Sequence, residues 1–276
     1  MTEFYNKTLD NKSEQSLLDS IKCFMLDMDG TFYLGRSLLP GAKEFIGVVE
    51  KKGQEYLFLT NNSSKNAGIY SRKLSVLGLD VPESKILTSG EATTIYLKKH
   101  YPEANVYLVG TESLEEEFQR ADIRLKKEGQ PDVIVLGFDT TLTYEKIWKF
   151  CDFARADIPY IATHPDFNCP VEDGFMPDIG SFMALIAAST GREPDVIIGK
   201  PHRHIVEAVI EKVGYSIDQI AMIGDRLYTD IALGQTGILT VLVLSGETSP
   251  SDLVESQFKP DIIVDDLMGL VKILEK

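Results

Sequence analysis

Short apolar runs alternate with helical segments along almost the whole chain, and this alternation restricts the possible folds most strongly. The runs are apolar at consecutive positions, which is typical of strands covered by helices on both faces. Such an order of strands and helices predicts a doubly wound, parallel α/β sheet. Strands are expected at 22–26, 55–59, 106–109, 133–136, 160–162, 196–198, 220–223, 240–244 and 262–264. Helices are expected at 41–52, 65–77, 114–120, 144–156, 180–189, 201–213, 229–235 and 266–275.

The length of the chain predicts more than one domain. Its 276 residues suffice for one large domain or two ordinary ones, since a domain usually takes about 100–200 residues. The middle of the chain repeats the strand–helix alternation without a flexible linker or a change of composition. We therefore expect a core formed by 1–82 and 181–276, with a second α/β domain inserted at 83–180.

Composition excludes several classes of partner. The formal net charge of −14 disfavours binding to nucleic acid or to an anionic membrane surface. The cysteines, at positions 23, 151 and 169, form no C-x-x-C pair, which fits a reducing compartment better than a disulfide framework. The N-terminus is polar and resembles no signal peptide, and no apolar stretch approaches the ~20 residues that a membrane span needs. We expect a cytoplasmic protein.

Polar clusters follow several of the predicted strands at their carboxyl ends, where doubly wound sheets bind ligands. One strand is followed by two aspartates in FMLDMDG, and the others by TNN, GKP and GDRLYTD. The candidate site residues in these clusters are Asp27, Asp29, Thr60, Asn61, Asn62, Lys200, Asp225 and Asp230. Four such clusters at one edge of a sheet predict a functional site.

The chemistry of these residues points to phosphate. Asp27 is ionised at neutral pH and needs no base before it attacks phosphorus. Mg²⁺ held by Asp27, Asp225 and the backbone carbonyl of Asp29 would relieve the repulsion between carboxylate and phosphate. Asp29 would move protons at the leaving oxygen and at water. Thr60, with the first N–H groups of the next helix, predicts an anion cradle, and Lys200 supplies positive charge.

The four motifs FMLDMDGTF, TNN, GKP and GDRLYTD, in this order, resemble those of the haloacid dehalogenase superfamily of phosphatases. An interval of 138 positions separates Asn62 from Lys200, which resembles the inserted cap of the class II members. The TNN motif and the segment ATHPD at 162–166 resemble the class IIA subfamily of p-nitrophenyl phosphatases and N-acetylglucosamine phosphatases.

This resemblance implies a reaction and a set of roles. Asp27 would form an aspartyl-phosphate, Asp29 would be the acid and base, and Asp225 would complete the Mg²⁺ site. Asp230 would support the metal ligands from behind. The expected activity is hydrolysis of a phosphomonoester of a small metabolite, such as a sugar phosphate or a nucleotide.

The resemblance also assigns a role to the inserted domain as a cap. A cap loop at about 164–174 would face the site and set specificity. The resemblance suggests a homodimer through the cap, while the sequence leaves the oligomeric state open. We expect Asn61, Asn62, His164 and Asp166 to bind substrate together with Thr60 and Lys200. For His164 and Asp166 the sequence leaves local hydrogen bonding open as the alternative.

Two other functions compete with phosphoester hydrolysis. A dehalogenase would also use Asp27, but a halide leaves without a proton and so has no need of Asp29. A protein that binds a phosphorylated ligand without hydrolysing it, or a switch phosphorylated on Asp27, is the alternative of another class. Asp29 disfavours the switch because it would activate water and shorten the life of the acyl phosphate.

Overall fold

The computed structural model describes residues 13–171 and 174–276. Within these residues the strands, in chain order, are β1 (Cys23–Leu26), β2 (Tyr33–Leu34), β3 (Ser37–Leu38), β4 (Glu55–Thr60), β5 (Ile86–Thr88), β6 (Asn105–Val109), β7 (Arg124–Leu125), β8 (Val133–Leu136), β9 (Tyr160–Ala162), β10 (Asn168–Val171), β11 (Gly174–Pro177), β12 (Val196–Ile197), β13 (Ile220–Gly224), β14 (Leu239–Val243) and β15 (Ile262–Val264). The α-helices are α1 (Glu14–Ser20), α2 (Ala42–Lys51), α3 (Ala67–Val76), α4 (Ser89–His100), α5 (Glu112–Arg120), α6 (Tyr144–Arg155), α7 (Ile179–Thr190), α8 (Arg203–Val213), α9 (Pro250–Glu255) and α10 (Leu267–Leu274). Short 3-10 helices lie at Glu83–Lys85, Ile217–Gln219 and Ile231–Thr236.

The described chain divides into two compact units, and each is considered by itself. The first contains the chain up to Leu59 together with Lys73–Lys85 and Ile210–Lys276. The second contains Thr60–Arg72 and Ile86–Val209. The expected division into a core and a cap with boundaries at 83 and 180 stays a prediction.

A parallel sheet organises the first unit, with strands in the order β15, β14, β13, β1 and β4. Strand β1 lies between β13 and β4, and Leu26 at its end lies opposite Ile223 on one side and Phe58 on the other. All four residues of β1 are buried, and the ring of Phe24 packs edge-on against Phe45 of α2 at 5.5 Å. The consecutive apolar residues of β1 thus reflect a strand covered on both faces, as predicted.

A second parallel sheet organises the second unit, in the order β12, β9, β8, β6 and β7. Its helices α6 and α7 pack on the sheet around a core that includes Phe150, Tyr160 and Ile186. Both sheets are parallel and carry helices between their strands, so the predicted α/β class is confirmed.

One strand lies in a different sheet from the one expected. The run before Lys200 was expected to end at the same sheet edge as β1, but β12 pairs with Ile161 and Ala162 of β9 in the second sheet. Only two residues of this run pair with a neighbouring strand. So short a strand has no sequence pattern that would predict which of the two sheets it joins. The assumption that all four polar clusters follow strands of one sheet is therefore wrong for Lys200.

Local structure differs from the expectations at a few other places. The helix expected at 229–235 is the 3-10 helix Ile231–Thr236. Strand β5, helix α4 and the antiparallel hairpin of β10 and β11 were not expected. Helix α4 is weakly amphipathic, and its start is marked by Thr88, whose side chain accepts a hydrogen bond from the N–H of Glu91. The expectation of a polar N-terminus without a signal sequence concerns residues 1–12, outside the described residues.

Gln54 joins the start of β4 to the end of α1 and offers a test of this packing. Its buried side-chain nitrogen donates to the carbonyls of Leu18 at 2.9 Å and Ile21 at 2.7 Å. We expect Gln54→Ala to lower the free energy of unfolding by about 1–3 kcal/mol, because buried carbonyls lose their partner. Urea denaturation measures the change, with the exposed Gln119→Ala of α5 as a control within about 0.5 kcal/mol of the parent. Equal effects of the two substitutions would contradict this role.

Candidate active site

Three carboxylates lie together at the carboxyl end of the first sheet. Asp27 follows β1, Asp225 follows β13, and Asp230 lies five residues further on. One oxygen of each lies within 4.8 Å of the others. The register brings them together, because β1 and β13 are neighbours and the N–H of Asp27 donates to the carbonyl of Ile223 at 2.9 Å.

Asp225 is held rigidly by groups on both of its oxygens. The hydroxyl of Thr31 donates to Oδ1 at 2.9 Å, and the N–H of Glu247 donates to Oδ2 at 2.8 Å. Gly30 has a φ of +87°, and a Cβ at this position would lie 2.3 Å from Oδ2 of Asp225. Glycine is therefore required after Asp29, both for the backbone conformation and for the approach of Asp225.

Asp230 is the third carboxylate of this cluster and is fully buried. Its Oδ2 accepts a hydrogen bond from the N–H of Arg226 at 3.1 Å. Arg226 in turn forms an ion pair with Glu247 at 3.0 Å. Asp230 thus binds the backbone of the residue next to Asp225, and its expected support of the metal ligands stays a prediction.

The electrostatics of the cluster favour a bound cation. Burial and the neighbouring charge of Asp27 raise the pKa of Asp225 from 3.8 to about 6, against the opposing effects of the Glu247 N–H, Arg226 and Thr31. Mg²⁺ prefers carboxylate oxygens together with water and phosphate oxygens. Asp27 and Asp225, with Asp230 beside them, form a donor set of this kind, so the residues present fit the ion.

Asp29 has different surroundings from this cluster. Its side chain is 58% exposed, and its Oδ2 accepts a hydrogen bond from the hydroxyl of Tyr33 at 3.2 Å. The ammonium of Lys73 lies 3.7 Å from Oδ1 and 3.7 Å from the centre of the Tyr33 ring. The protein packed around Asp29 shields it from part of the solvent and raises its pKa; Lys73 opposes this shift, and the charge of Asp27 adds to it. A carboxyl that is accessible and has a raised pKa is suited to proton transfer.

Sequence reasoning missed several of these supporting residues: Thr31, Tyr33, Lys73, Arg226 and Glu247. Thr31 follows the D-x-D-G motif directly, so its position gave a signal. Lys73 and Glu247 are distant in sequence from the residues that they contact. No local pattern marks them.

Lys200 and Asn61 lie together in the second unit. Lys200 is 3% exposed and Asn61 is 7% exposed. Asn61 accepts a hydrogen bond from the N–H of Lys200 at 2.8 Å and donates to its carbonyl at 2.9 Å. Its side-chain nitrogen also lies 3.2 Å from a carboxylate oxygen of Asp166. The amide of Asn61 is thus bound by protein groups on both atoms, and the expected contact of Asn61 with substrate stays a prediction.

The segment after β4 does not start a helix directly. Helix α3 begins at Ala67, and Asn66 rather than Thr60 accepts a hydrogen bond from an N–H of its first turn, that of Ile69 at 3.2 Å. The hydroxyl of Thr60 accepts from the N–H of Asn62 at 3.2 Å, and Asn62 accepts from the N–H of Ser64 at 2.9 Å. Thr60 is therefore followed by a loop with local side-chain hydrogen bonds. The expectation that Thr60 lies directly at a helix N-terminus is wrong.

His164 is fully buried in the second unit. One ring nitrogen lies 3.0 Å from Asp178 and the other 3.0 Å from the hydroxyl of Thr163. Burial opposes a charged ring, but the Asp178 carboxylate outweighs it and the pKa of His164 is raised. Of the two interpretations left open by the sequence, the structure favours local hydrogen bonding, and a substrate contact of His164 stays an untested prediction.

Family models match both ends of the chain. A model described as haloacid dehalogenase-like hydrolase matches residues 24–124, and one described as HAD-hydrolase-like matches residues 197–270. An acid sugar phosphatase of Staphylococcus aureus is 33% identical over 256 residues, which cover 92% of this chain and 98% of that protein. The chain belongs to the haloacid dehalogenase-like hydrolase family.

Solved structures place this haloacid dehalogenase-like hydrolase near the class IIA members. The 4-nitrophenylphosphatase of Thermotoga maritima is 48% identical with a TM-score of 0.90, covering 94% of this chain and 99% of that one. The p-nitrophenyl phosphatase of Archaeoglobus fulgidus is 31% identical with a TM-score of 0.86, covering 91% and 98%. NagD from Escherichia coli K-12 is 31% identical with a TM-score of 0.83, covering 90% and 97%. The predictions of this superfamily and subfamily, and of a phosphatase, are confirmed.

None of the helices in the described part of this hydrolase has the length and apolar character that a membrane crossing requires. The expected cytoplasmic location stays a prediction.

The raised pKa of Asp225 predicts how metal affinity depends on pH. Protons compete with a cation for this carboxylate, so we expect the affinity for Mg²⁺ to be about tenfold weaker at about pH 5 than above about pH 7. In the metal-free protein, the free energy of unfolding should fall as the pH rises from 3.8 to about 6. The reason is that Asp225 binds its proton more tightly in the folded chain than in the unfolded chain. Calorimetric titration with MgCl₂ and thermal melting measure the two effects.

Two variants control this experiment. Asp225→Asn removes the titrating ligand, and we expect it to abolish the dependence of Mg²⁺ affinity on pH over this range. Asp218→Asn, at an exposed site of the same unit, should behave as the parent. An affinity for Mg²⁺ that is equal at both pH values in the parent would contradict the assignment.

Proposed function

We propose that this chain is a Mg²⁺-dependent phosphomonoesterase that acts through an aspartyl-phosphate on Asp27. One observation carries the proposal: Asp27 lies in a buried carboxylate cluster, while Asp29, two residues away, is held by Tyr33 and Lys73. The two aspartates of the D-x-D motif thus have different surroundings, as a nucleophile and a proton carrier require.

In the first step, a carboxylate oxygen of Asp27 attacks the phosphorus of the ester. The bond from phosphorus to the leaving oxygen breaks, and Asp29 donates its proton to that oxygen. The products of this step are an alcohol and an acyl phosphate on Asp27. Asp29 is now the carboxylate that the second step needs.

In the second step, water attacks the phosphorus of the acyl phosphate and Asp29 takes up its proton. The bond between phosphorus and Asp27 breaks, which releases phosphate and restores the carboxylate. Tyr33 and Lys73 keep Asp29 in one place through both steps, because each contacts one of its oxygens.

Charge neutralisation is the other requirement of the reaction. Mg²⁺ bound by Asp27, Asp225 and the backbone carbonyl of Asp29 would offset the charge of the phosphoryl group. We assign Lys200 and Thr60 to the same phosphoryl group, on the support of their match to the family motifs. Lys200 would provide a positive charge and Thr60 a hydroxyl donor.

A small phosphorylated metabolite is the substrate class that we propose. The curated relatives are acid sugar phosphatases, so phosphorylated sugars are the first compounds to test. The net charge of −14 disfavours nucleic acid as a substrate. A homodimer through the cap stays a prediction.

The nucleophile is tested by Asp27→Asn. We expect the substitution to lower kcat by about 10³-fold or more, because the amide does not displace the leaving group. Phosphate release from a panel of sugar phosphates, nucleotides and p-nitrophenyl phosphate, with Mg²⁺, measures the loss. Asp218→Asn serves as the folded, active control. Full activity of Asp27→Asn, or an inactive parent across the whole panel, would refute the proposal.

The role of Asp29 is tested by its dependence on the leaving group. We expect Asp29→Asn to lower kcat by about 10²- to 10⁴-fold with a sugar phosphate, whose alkoxide needs a proton. With p-nitrophenyl phosphate the first step should be spared, because nitrophenolate leaves without a proton, while hydrolysis of the acyl phosphate stays slow. Rapid mixing should then show a burst of about one nitrophenolate per chain.

Two outcomes would contradict this assignment. Equal losses of Asp29→Asn with both substrates, without a burst, would exclude Asp29 as the proton carrier. A phosphorylated parent protein that persists for hours would favour the switch that the sequence left as an alternative.

A further inference from the structure

We propose that Asn61 is a positioning residue for Lys200, and that Asp166 fixes Asn61 in this role. The inference rests on the proposed function, in which Lys200 contacts the phosphoryl group. The sequence suggested Asn61 and Asp166 as substrate contacts, whereas in this proposal both residues position Lys200.

The side-chain amide of Asn61 binds the main chain of Lys200 on both sides. Its Oδ1 accepts a hydrogen bond from the Lys200 N–H at 2.8 Å, and its Nδ2 donates to the Lys200 carbonyl at 2.9 Å. This pairing imitates the exchange between two residues of neighbouring strands. It holds one residue's backbone in position and orientation at once.

Asp166 binds the remaining hydrogen of the Asn61 amide. The Asn61 nitrogen lies 3.3 Å from Oδ1 and 3.2 Å from Oδ2 of this carboxylate. The two hydrogens of the NH₂ group are thus directed to the Lys200 carbonyl and to Asp166. This excludes the flipped amide, because its oxygen would face two acceptors.

Gly199 allows the close approach on which this arrangement depends. A Cβ at this position would lie 2.6 Å from Oδ1 of Asn61 and 2.9 Å from the carbonyl of Thr163. The backbone before Lys200 is also bound to the neighbouring strand, since the N–H of Gly199 donates to the Thr163 carbonyl at 2.8 Å. Lys200 therefore starts from a backbone that is fixed on two sides.

Fixing the backbone matters because the lysine side chain is long and flexible. Four rotatable carbon–carbon bonds separate its ammonium from the main chain. If the backbone is displaced, the ammonium moves away from the phosphoryl group. A misplacement of about 1 Å in a catalytic group costs about 10²-fold in rate. Loss of the Asn61 contacts should therefore lower kcat through Lys200 and leave KM less affected.

A double-mutant cycle tests whether Asn61 acts through Lys200. The steady-state kinetics of the parent, Asn61→Ala, Lys200→Ala and the double variant are measured with p-nitrophenyl phosphate and Mg²⁺. We expect Asn61→Ala alone to lower kcat by about 10- to 100-fold. In the Lys200→Ala background the same substitution should change kcat less than about twofold.

Thermal melting separates positioning from a purely structural effect. Asn61→Ala should lower the melting temperature by a similar amount in both backgrounds. Asn66→Ala is the matched control: this asparagine is also buried in the second unit, and it donates to Glu116 at 3.1 Å and accepts from Ile69 at 3.2 Å. We expect Asn66→Ala to lower the melting temperature while kcat stays unchanged.

Asp166→Ala provides a second route if Asn61→Ala does not fold. It leaves both contacts between Asn61 and Lys200 and removes the group that orients the amide. We expect a smaller loss of kcat, again absent in the Lys200→Ala background. An equal loss in both backgrounds, for either variant, would overturn the proposal, as would a folded Asn61→Ala with the parent kcat.

Failure of the proposed function has a separate signature. If Asp27→Asn or Lys200→Ala keeps the parent kcat, the proposed mechanism fails and the role of Asn61 fails with it. If both lose activity but Asn61→Ala lowers kcat by its full factor in the Lys200→Ala background, only the positioning role is wrong.

Discussion

Repulsion between the carboxylates of Asp27 and Asp225 is the interaction on which the rest of the candidate site depends. The parallel pairing of β1 with β13 places the two groups side by side in a largely buried setting. Burial raises the pKa of Asp225 to about 6, and the neighbouring charge of Asp27 adds to this effect. A divalent cation would remove this cost, and we therefore expect the same geometry that destabilises the metal-free protein to favour binding of Mg²⁺. Hydrogen bonds from Thr31 and from the Glu247 N–H hold Asp225 in place against the repulsion.

Two identical side chains of the candidate site lie in different surroundings. Asp27 and Asp29 are separated by one residue, yet one joins the cluster while the other contacts a phenol and an ammonium group. Lys73 belongs to α3 and Tyr33 to β2, so two separate elements converge on one carboxylate. A nucleophile and a proton carrier require such a difference, because the first must stay ionised and the second must exchange a proton.

The parts of the site that could be predicted are those whose chemistry lies in short motifs. Asp27, Asp29 and Asp225 follow buried apolar strands, and their carboxylates suggested a metal and a phosphate without further context. Asn61 and His164 could not be read in the same way. Both are polar residues in motif-like segments, but Asn61 is occupied by Lys200 and Asp166, and His164 by Asp178 and Thr163. A polar side chain in a sequence does not reveal whether its partner is a ligand or the protein itself.

The sequence by itself determined the α/β class, the order of most strands and helices, and the motifs that mark the family. These features are local, because apolar periodicity and short polar motifs are written in consecutive residues. Tertiary structure alone decided that β12 joins the second sheet and that Lys73 forms an ion pair with Asp29. It also decided that Asn61 forms hydrogen bonds with the backbone of Lys200. Each of these facts is a contact between residues far apart in the chain, and a single sequence carries no signal of which distant groups will meet.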